Sequence, residues 1–331
     1  LESVAALEFF EEAVERMQAI LSVRPEVLAH DLHPAYLSTR YALARVAEAR
    51  VGVQHHHAHV VSAMAEHGVD GPVLGIAFDG TGYGEDGASW GGEFLLSFPE
   101  RYERLATFRP IRLAGGNVAM REVWRIAYAL VDDAFDGAAP IESLALFDAV
   151  SGEARGVVAQ MLERDLNAPA AHGVGRYFDA FGALALARPE SSYEGQVAIA
   201  WDVAADEGAH EPYGFELDES TTPPQIDLRP AVREAVGALL AGASPGVISG
   251  RFHATLVEAT AVVTEQLLGR LGPLPVALTG GVFQNSTLCS GVQAKLHNKY
   301  KVLRHQEVPP GDGGIALGQA LIADAFLGDK G

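Results

Sequence analysis

The sequence predicts an α/β fold built around a largely parallel sheet. Short apolar runs of buried-strand length alternate with helical stretches, most regularly after residue 254. Glycine-rich turns follow several of those runs, which places ligand-binding loops at the C-terminal ends of strands. The 331 residues, 48% apolar and 20% charged with 36 Gly and 17 Pro, suit a folded enzyme better than a disordered or fibrous chain. At roughly 150 residues per domain, that length allows two domains or one large two-lobed one.

The elements follow in order. Val4, Leu7, Phe10, Val14, Met17 and Leu21 recur at helical spacing between glutamates, so residues 1–23 read as an amphipathic helix that Pro25 ends. Residues 27–30 read as a strand running into the turn Asp31-Leu32-His33-Pro34, residues 36–50 as a helix, and residues 51–54 as a short strand. A helix continues from the histidine cluster over residues 58–67 and stops at Gly68. The apolar run 73–78 is a buried strand that delivers Asp79-Gly80-Thr81-Gly82 into a loop, and residues 90–96 form the second strand of a hairpin. From 118 to about 200 the pattern is helical with a break at 173–176, and the polar stretch 207–227 reads as a surface connection. Thereafter come a helix at 254–271, a strand at 276–279, a Gly280-Gly281 turn, a helix at 286–297, a strand at 301–304 and a helix at 315–326.

Composition excludes several functions. Twenty-four Lys and Arg against 43 Asp and Glu give a net charge of −19, which repels a phosphate backbone, so no nucleic-acid partner is expected. The single cysteine, Cys289, excludes an internal disulfide and a Cys-based zinc ribbon and points to the cytoplasm. No apolar run approaches the roughly 20 residues that span a bilayer, and no signal pattern is visible, so no membrane association is expected. The chain opens at Leu1 inside an expected helix and reads as a piece of something longer.

The densest chemical signal is Gln54-His55-His56-His57-Ala58-His59. On a helix, His55 and His59 share one face about 6 Å apart along the axis, which is metal-ligand spacing and also what a polar helix start produces. His56 and His57 point elsewhere, toward supporting or substrate contacts. Two imidazoles need oxygen donors to balance a divalent charge. Asp79, at the end of an apolar strand, and Asp312, in Pro309-Pro310-Gly311-Asp312-Gly313-Gly314, are the candidates; taken singly, each also suits an Asx-turn or an N-cap. Gly80-Thr81-Gly82, and Gly280-Gly281 leading to Asn285 at a helix start, have the form of anion-binding turns.

Taken together, several strings closely resemble the C-terminal domain of HypF, the hydrogenase-maturation carbamoyltransferase. They are Asp31-Leu32-His33-Pro34 with Tyr36-Leu37-Ser38-Thr39, the histidine cluster, Phe78-Asp79-Gly80-Thr81-Gly82-Tyr83-Gly84 with Trp90-Gly91-Gly92-Glu93, Ser192-Tyr193-Glu194-Gly195, and Gly311-Asp312-Gly313-Gly314 with Leu317-Gly318-Gln319. The resemblance runs in order along nearly the whole chain. It implies a two-lobed actin-like ATPase (ASKHA) fold with helical insertions, shared with the tRNA threonylcarbamoyl transferase TsaD and with antibiotic O-carbamoyltransferases. A first α/β lobe is expected over 1–115, with its N-terminal strands and their glycine-rich hairpin missing, and a second lobe with a helical insertion over 116–331.

The resemblance also implies site roles. His55, His59, Asp79 and Asp312 bind a divalent metal, iron or zinc, and take part in catalysis. Gly80, Thr81, Gly82, Asp179, Glu194, Gly195, Gly280, Gly281 and Asn285 contact the adenine nucleotide, ATP or carbamoyl adenylate. The activity implied is transfer of a carbamoyl group from carbamoyl adenylate to the C-terminal cysteine thiol of a HypE-like partner. With one cysteine the chain lacks HypF's zinc fingers, so it is expected to transfer and not to activate. Two other readings remain open: an O-carbamoyltransferase acting on a small-molecule hydroxyl, and a non-catalytic nucleotide-binding module that docks a partner. Cys289 as a covalent relay is the less favoured reading against simple burial.

Overall fold

The computed structural model describes residues 3–206, 208 and 210–328, so the ends of the expected first helix and of the 207–227 connection fall partly outside the described residues. The chain begins with α1 (Val4–Leu21), β1 (Val27–Asp31), α2 (Leu37–Ala44), β2 (Ala49–Val53) and α3 (His55–Glu66). A meander follows: β3 (Val73–Tyr83), β4 (Ser89–Ser97), β5 (Tyr102–Phe108) and the short β6 (Ile111–Arg112). The helical middle holds α4 (Trp124–Ala134), α5 (Gly152–Glu163), the two-residue β7 (Ala170–Ala171), α6 (Val174–Leu186) and α7 (Gln196–Val203). The chain continues with β8 (Glu216–Asp218), β9 (Gln225–Asp227), α8 (Arg229–Leu240), α9 (Pro245–Leu271), β10 (Val276–Thr279), α10 (Ser286–Leu296), β11 (Val302–Arg304) and α11 (Ile315–Gly328). Among the described residues, no helix is long and apolar enough to cross a membrane.

One sheet dominates. It runs β11-β10-β3-β4-β5-β9-β8, with β6 and β7 branching from β4, while β1 and β2 form a separate parallel pair. Strand β10 is parallel to both β11 and β3, whereas β3, β4 and β5 form an antiparallel meander, so the sheet is mixed and not largely parallel. Strands before and after residue 115 share this sheet. Helix α3 lies on β3, where Gly75 lets it approach: a Cβ there would stand 2.2 Å from Val60 Cγ2. Ala58, Val60, Val61 and Met64 are sealed in that interface together with Val73, Ala77 and Ile322.

Several expectations require correction. The expected helix at 36–50 ends at Ala44, because Arg50 belongs to β2 and its guanidinium donates back to the carbonyl oxygen of Ala42 at 3.2 Å. Gly80, Thr81 and Gly82 are not in a loop. Strand β3 continues through them to Tyr83, and a β-bulge breaks its pairing with β4 between Phe78 and Gly82. The 207–227 connection contains β8 and β9, and β9 extends the sheet beside β5 with Ile226 and Asp227 buried.

Candidate metal centre

Helix α3 starts where it does because Gln54 caps it, its Oε1 accepting the His57 N–H at 3.0 Å. That start turns His55 and His59 toward the end of β3. The bulge there points the Asp79 carboxylate at the same spot, with Oδ1 accepting the Gly80 N–H at 2.7 Å. Asp312 arrives from the opposite side on a 3-10 turn between β11 and α11. One donor atom from each of the four residues lies within 4.8 Å of every other.

The pair distances have the spacing of a shared ion. His59 Nε2 lies 3.1 Å from Asp79 Oδ2 and 3.7 Å from Asp312 Oδ1, and His55 Nε2 lies 3.7 and 3.5 Å from the same oxygens. Both histidines are sealed, whereas the Asp312 side chain is 74% exposed, so the cluster opens to solvent on one side only. His55 Nε2 is buried and makes no hydrogen bond, an expensive arrangement for a lone pair unless a ligand completes it. Two imidazole nitrogens and two carboxylate oxygens form a donor set suited to zinc or iron, so the residues present fit a divalent metal.

Asp31 went unassigned in the sequence and is the main support of the site. His55 Nδ1–H donates to Asp31 Oδ2 at 2.8 Å, and Asp31 Oδ1 accepts the His33 N–H at 2.7 Å. With one proton held on Nδ1, the neutral ring would present its Nε2 lone pair to a metal in the cluster. Burial alone would push the His55 pKa down, but the hydrogen bond to Asp31 and the nearby carboxylates of Asp312 and Asp79 outweigh it and raise it well above the usual value. Burial would likewise raise the Asp79 carboxyl, yet the nearby His55 ring and the hydrogen bond from His59 hold it well below the carboxylate range. The same two histidines depress Asp312.

The neighbouring histidines do other work. His57 is on the far side of α3, donates from Nε2 to the Phe98 carbonyl oxygen at 2.8 Å, and is pushed by burial down to about 4. A cavity of about 840 Å³ lies on that side, lined by Arg50, Gln54, His57, Trp90, Tyr102 and Arg104 among others, and it contains none of the four clustered residues. His56 is fully buried, and its Nδ1 accepts from Gln54 Nε2 at 3.1 Å.

The Gly280-Gly281 turn and the glycines at the end of β3 approach the same region. A Cβ at Gly281 would stand 3.1 Å from Asp79 Oδ1, and one at Gly82 would stand 2.4 Å from His56 Cε1. Gly280 has φ +94°, and its N–H donates to the Pro310 carbonyl oxygen at 2.8 Å, tying this turn to the loop that carries Asp312. Thr81 Oγ1 is 2.7 Å from Ser89 Oγ at the outer end of the hairpin.

The remaining expected nucleotide residues form a second group. Asp179 on α6 is buried and pairs with Arg176 Nη1 at 2.9 Å, so its carboxylate is already engaged. Burial raises its pKa, Arg176 opposes that, and the charge of Glu194 adds to it. Glu194 is exposed, and Gly195, with φ +76°, opens α7. Asn285 caps α10 through Oδ1, which accepts the Leu288 N–H at 2.8 Å, and its Nδ2 donates to His253 Nε2 at 2.8 Å. The His253 ring in turn packs 5.4 Å from Phe178, next to Asp179. Cys289, further along α10, is packed against the core, and burial raises its thiol pKa.

Comparison with known proteins settles the family. Residues 1–66 match the HypF Kae1-like domain, and residues 75–319 match the carbamoyltransferase Kae1-like domain, second subdomain. A carbamoyltransferase HypF homolog of Cupriavidus necator is 37% identical over 327 residues, which cover 95% of this chain and 81% of that protein. The chain belongs to the HypF family. The carbamoyltransferase HypF of Rhodobacter capsulatus is 36% identical over 99% of this chain, but the chain spans only 43% of that relative's length. Full-length HypF, solved in a phosphate- and nucleotide-bound form, superimposes with a TM-score of 0.92 at 34% identity, over 99% of this chain and 42% of that one. The fold is therefore the α/β, actin-like ATPase fold of the HypF Kae1-like domain.

Proposed function

We propose that this chain is the transfer unit of a HypF-type carbamoyltransferase in hydrogenase maturation, and that it moves a carbamoyl group from carbamoyl adenylate to the C-terminal cysteine thiol of a HypE-like partner. The observation that carries this reading is the four-residue cluster with its unsatisfied His55 Nε2, set directly against the Gly280-Gly281 turn. Two carboxylates cannot face a negatively charged phosphate at close range without a cation between them. His55, His59, Asp79 and Asp312 would hold that divalent cation. When bound, it supplies Lewis-acid polarisation and neutralises phosphate charge.

The chain's own residues do the rest. Asp31 holds His55 in the one tautomer that faces the cluster. Gly80 to Gly82, Gly280 and Gly281 bring backbone close to the phosphate side, while Asp179, Glu194, Gly195 and Asn285 belong to the wall assigned to the nucleoside. The partner's thiolate attacks the carbamoyl carbon, a C–S bond forms, the C–O bond to the phosphate breaks, and AMP leaves with the electron pair. Positioning supplies the catalytic effect, since the substrate is already activated. Cys289 is outside this scheme: it is partly buried in the core and its thiol pKa is raised.

Elemental analysis together with nucleotide titration tests the reading. The wild-type chain is expected to carry one divalent ion and to bind adenine nucleotide more tightly with the ion than without it. A chain that binds nucleotide equally well after chelation contradicts it.

A further inference from the structure

We propose that Glu66 and His305 form a clamp that positions Asp312 in the metal cluster without touching ion or substrate. The inference rests on reading the cluster as a metal site. Asp312 needs such a device: its side chain is largely exposed, and it stands at the end of an irregular loop running from the last residue of β11, Arg304. His55 and His59, by contrast, are fixed on a packed helix.

Glu66 lies seven residues after His59 and eleven after His55, two and three turns along α3, so the three side chains share one helix face. Its Oε1 accepts the N–H groups of Gln306 and Glu307 at 2.8 and 2.7 Å, and its Oε2 lies 3.1 Å from His305 Nδ1, which donates to it. The His305 side chain is itself covered, at 3% exposure. Its Nε2 lies 2.9 Å from Thr279 Oγ1, and that hydroxyl is 3.1 Å from the carbonyl oxygen of His59. One carboxylate thus ties the helix bearing two ligands to the loop bearing a third, and His305 carries the tie on to the residue preceding Gly280.

The link from clamp to ligand is stiff. Pro309 and Pro310 separate the clamped residues from Gly311 and Asp312, and each fixes its own φ. The Pro310 carbonyl oxygen also accepts the Gly280 N–H, so the loop is held at two places before it reaches Asp312. Releasing the first hold should let Asp312 drift by more than metal geometry tolerates, while His55, His59 and Asp79 stay in place.

A double-mutant cycle read by Zn²⁺ affinity, with Zn²⁺ alone as the probe and a chromophoric chelator as competitor, decides the matter. Glu66→Ala is expected to weaken Zn²⁺ binding about 10–100-fold, the range for residues that support metal ligands. In an Asp312→Ala background the same change should alter affinity by less than about threefold, because its target is gone. Glu66→Gln keeps an acceptor for the two backbone N–H groups and provides a folded variant if the alanine form does not fold; it should show the same dependence on Asp312 at smaller amplitude. Equal losses with and without Asp312, or no loss in either Glu66 variant beside a wild type that binds Zn²⁺, overturn the clamp. A wild type with no Zn²⁺ affinity overturns the metal reading and the clamp together.

Discussion

Asp31 and His55 share a hydrogen bond of 2.8 Å in which the carboxylate side chain is 5% and the imidazole 2% exposed. An asparagine that keeps Oδ1 on the His33 N–H turns an amide N–H toward His55 Nδ1 and drives the ring's proton to Nε2, where it blocks a metal. Asp31→Asn is therefore expected to lower divalent-ion affinity about 10–100-fold while the fold survives. Calorimetric titration of wild type and variant checks this, and equal affinities would remove Asp31 from the support of the site.

The raised pKa of His55 fixes the sign of a pH effect. Without an ion, the surrounding carboxylates keep a proton on His55 well above its ordinary pKa. A metal can bind only after that proton leaves, so affinity must fall as pH drops below the raised pKa, by about tenfold per unit for one displaced proton. Titration in two buffers of different ionisation enthalpy should report net proton release on ion binding. A heat independent of the buffer would mean that His55 is already neutral.

Gly280 combines a positive φ with a tight contact: a Cβ there would stand 2.2 Å from the Phe78 carbonyl oxygen, in the middle of the sheet. Gly280→Ala is expected to destabilise the chain by about 1–3 kcal/mol through backbone strain, and to weaken nucleotide binding because the turn must move. Chemical denaturation beside nucleotide titration measures both effects. An alanine form as stable as wild type would show that the turn is not constrained as described.

Asp179 and Arg176 are both nearly sealed from solvent, so the carboxylate balances a buried guanidinium. Asp179→Ala strands that charge and should cost about 3–5 kcal/mol of stability. Its effect on nucleotide affinity has to be measured well below the lowered melting temperature. A melting curve that matches wild type would mean that Arg176 finds another partner.

The four-residue His/Asp cluster was legible because its signal is local. An i, i+4 histidine pair, an aspartate closing an apolar run and an aspartate set among glycines each show in a few consecutive residues. Most elements around it were legible for the same reason, among them α1, β1, α3 and the apolar part of β3, and again those from β10 to α11. What escaped depends on tertiary geometry. Asp31 meets His55 only because β1 and β2 are parallel neighbours, with Asp31 opposite Val53 just before α3 begins. Glu66 and His305 lie 239 residues apart in sequence, and nothing in either neighbourhood marks the pair. Strands β8 and β9 are three residues each, so no alternation can establish itself, and only pairing of β9 with β5 and of β8 with β9 makes them strands. The run 79–82 reads as a turn because its glycines carry the usual turn signature, whereas here both of them, Gly80 and Gly82, accommodate Arg176 and His56 against an extended strand.

The most direct measurement supplies the metal-loaded chain with preformed carbamoyl adenylate and a HypE-like acceptor, and follows the acceptor's terminal cysteine by mass spectrometry. A single carbamoyl adduct is expected with wild type, none with His55→Ala, and none when ATP and carbamoyl phosphate replace the adenylate. Equal adduct formation by His55→Ala, or its appearance from ATP and carbamoyl phosphate alone, would contradict the account of a metal-centred transfer unit that does not itself activate the carbamoyl group.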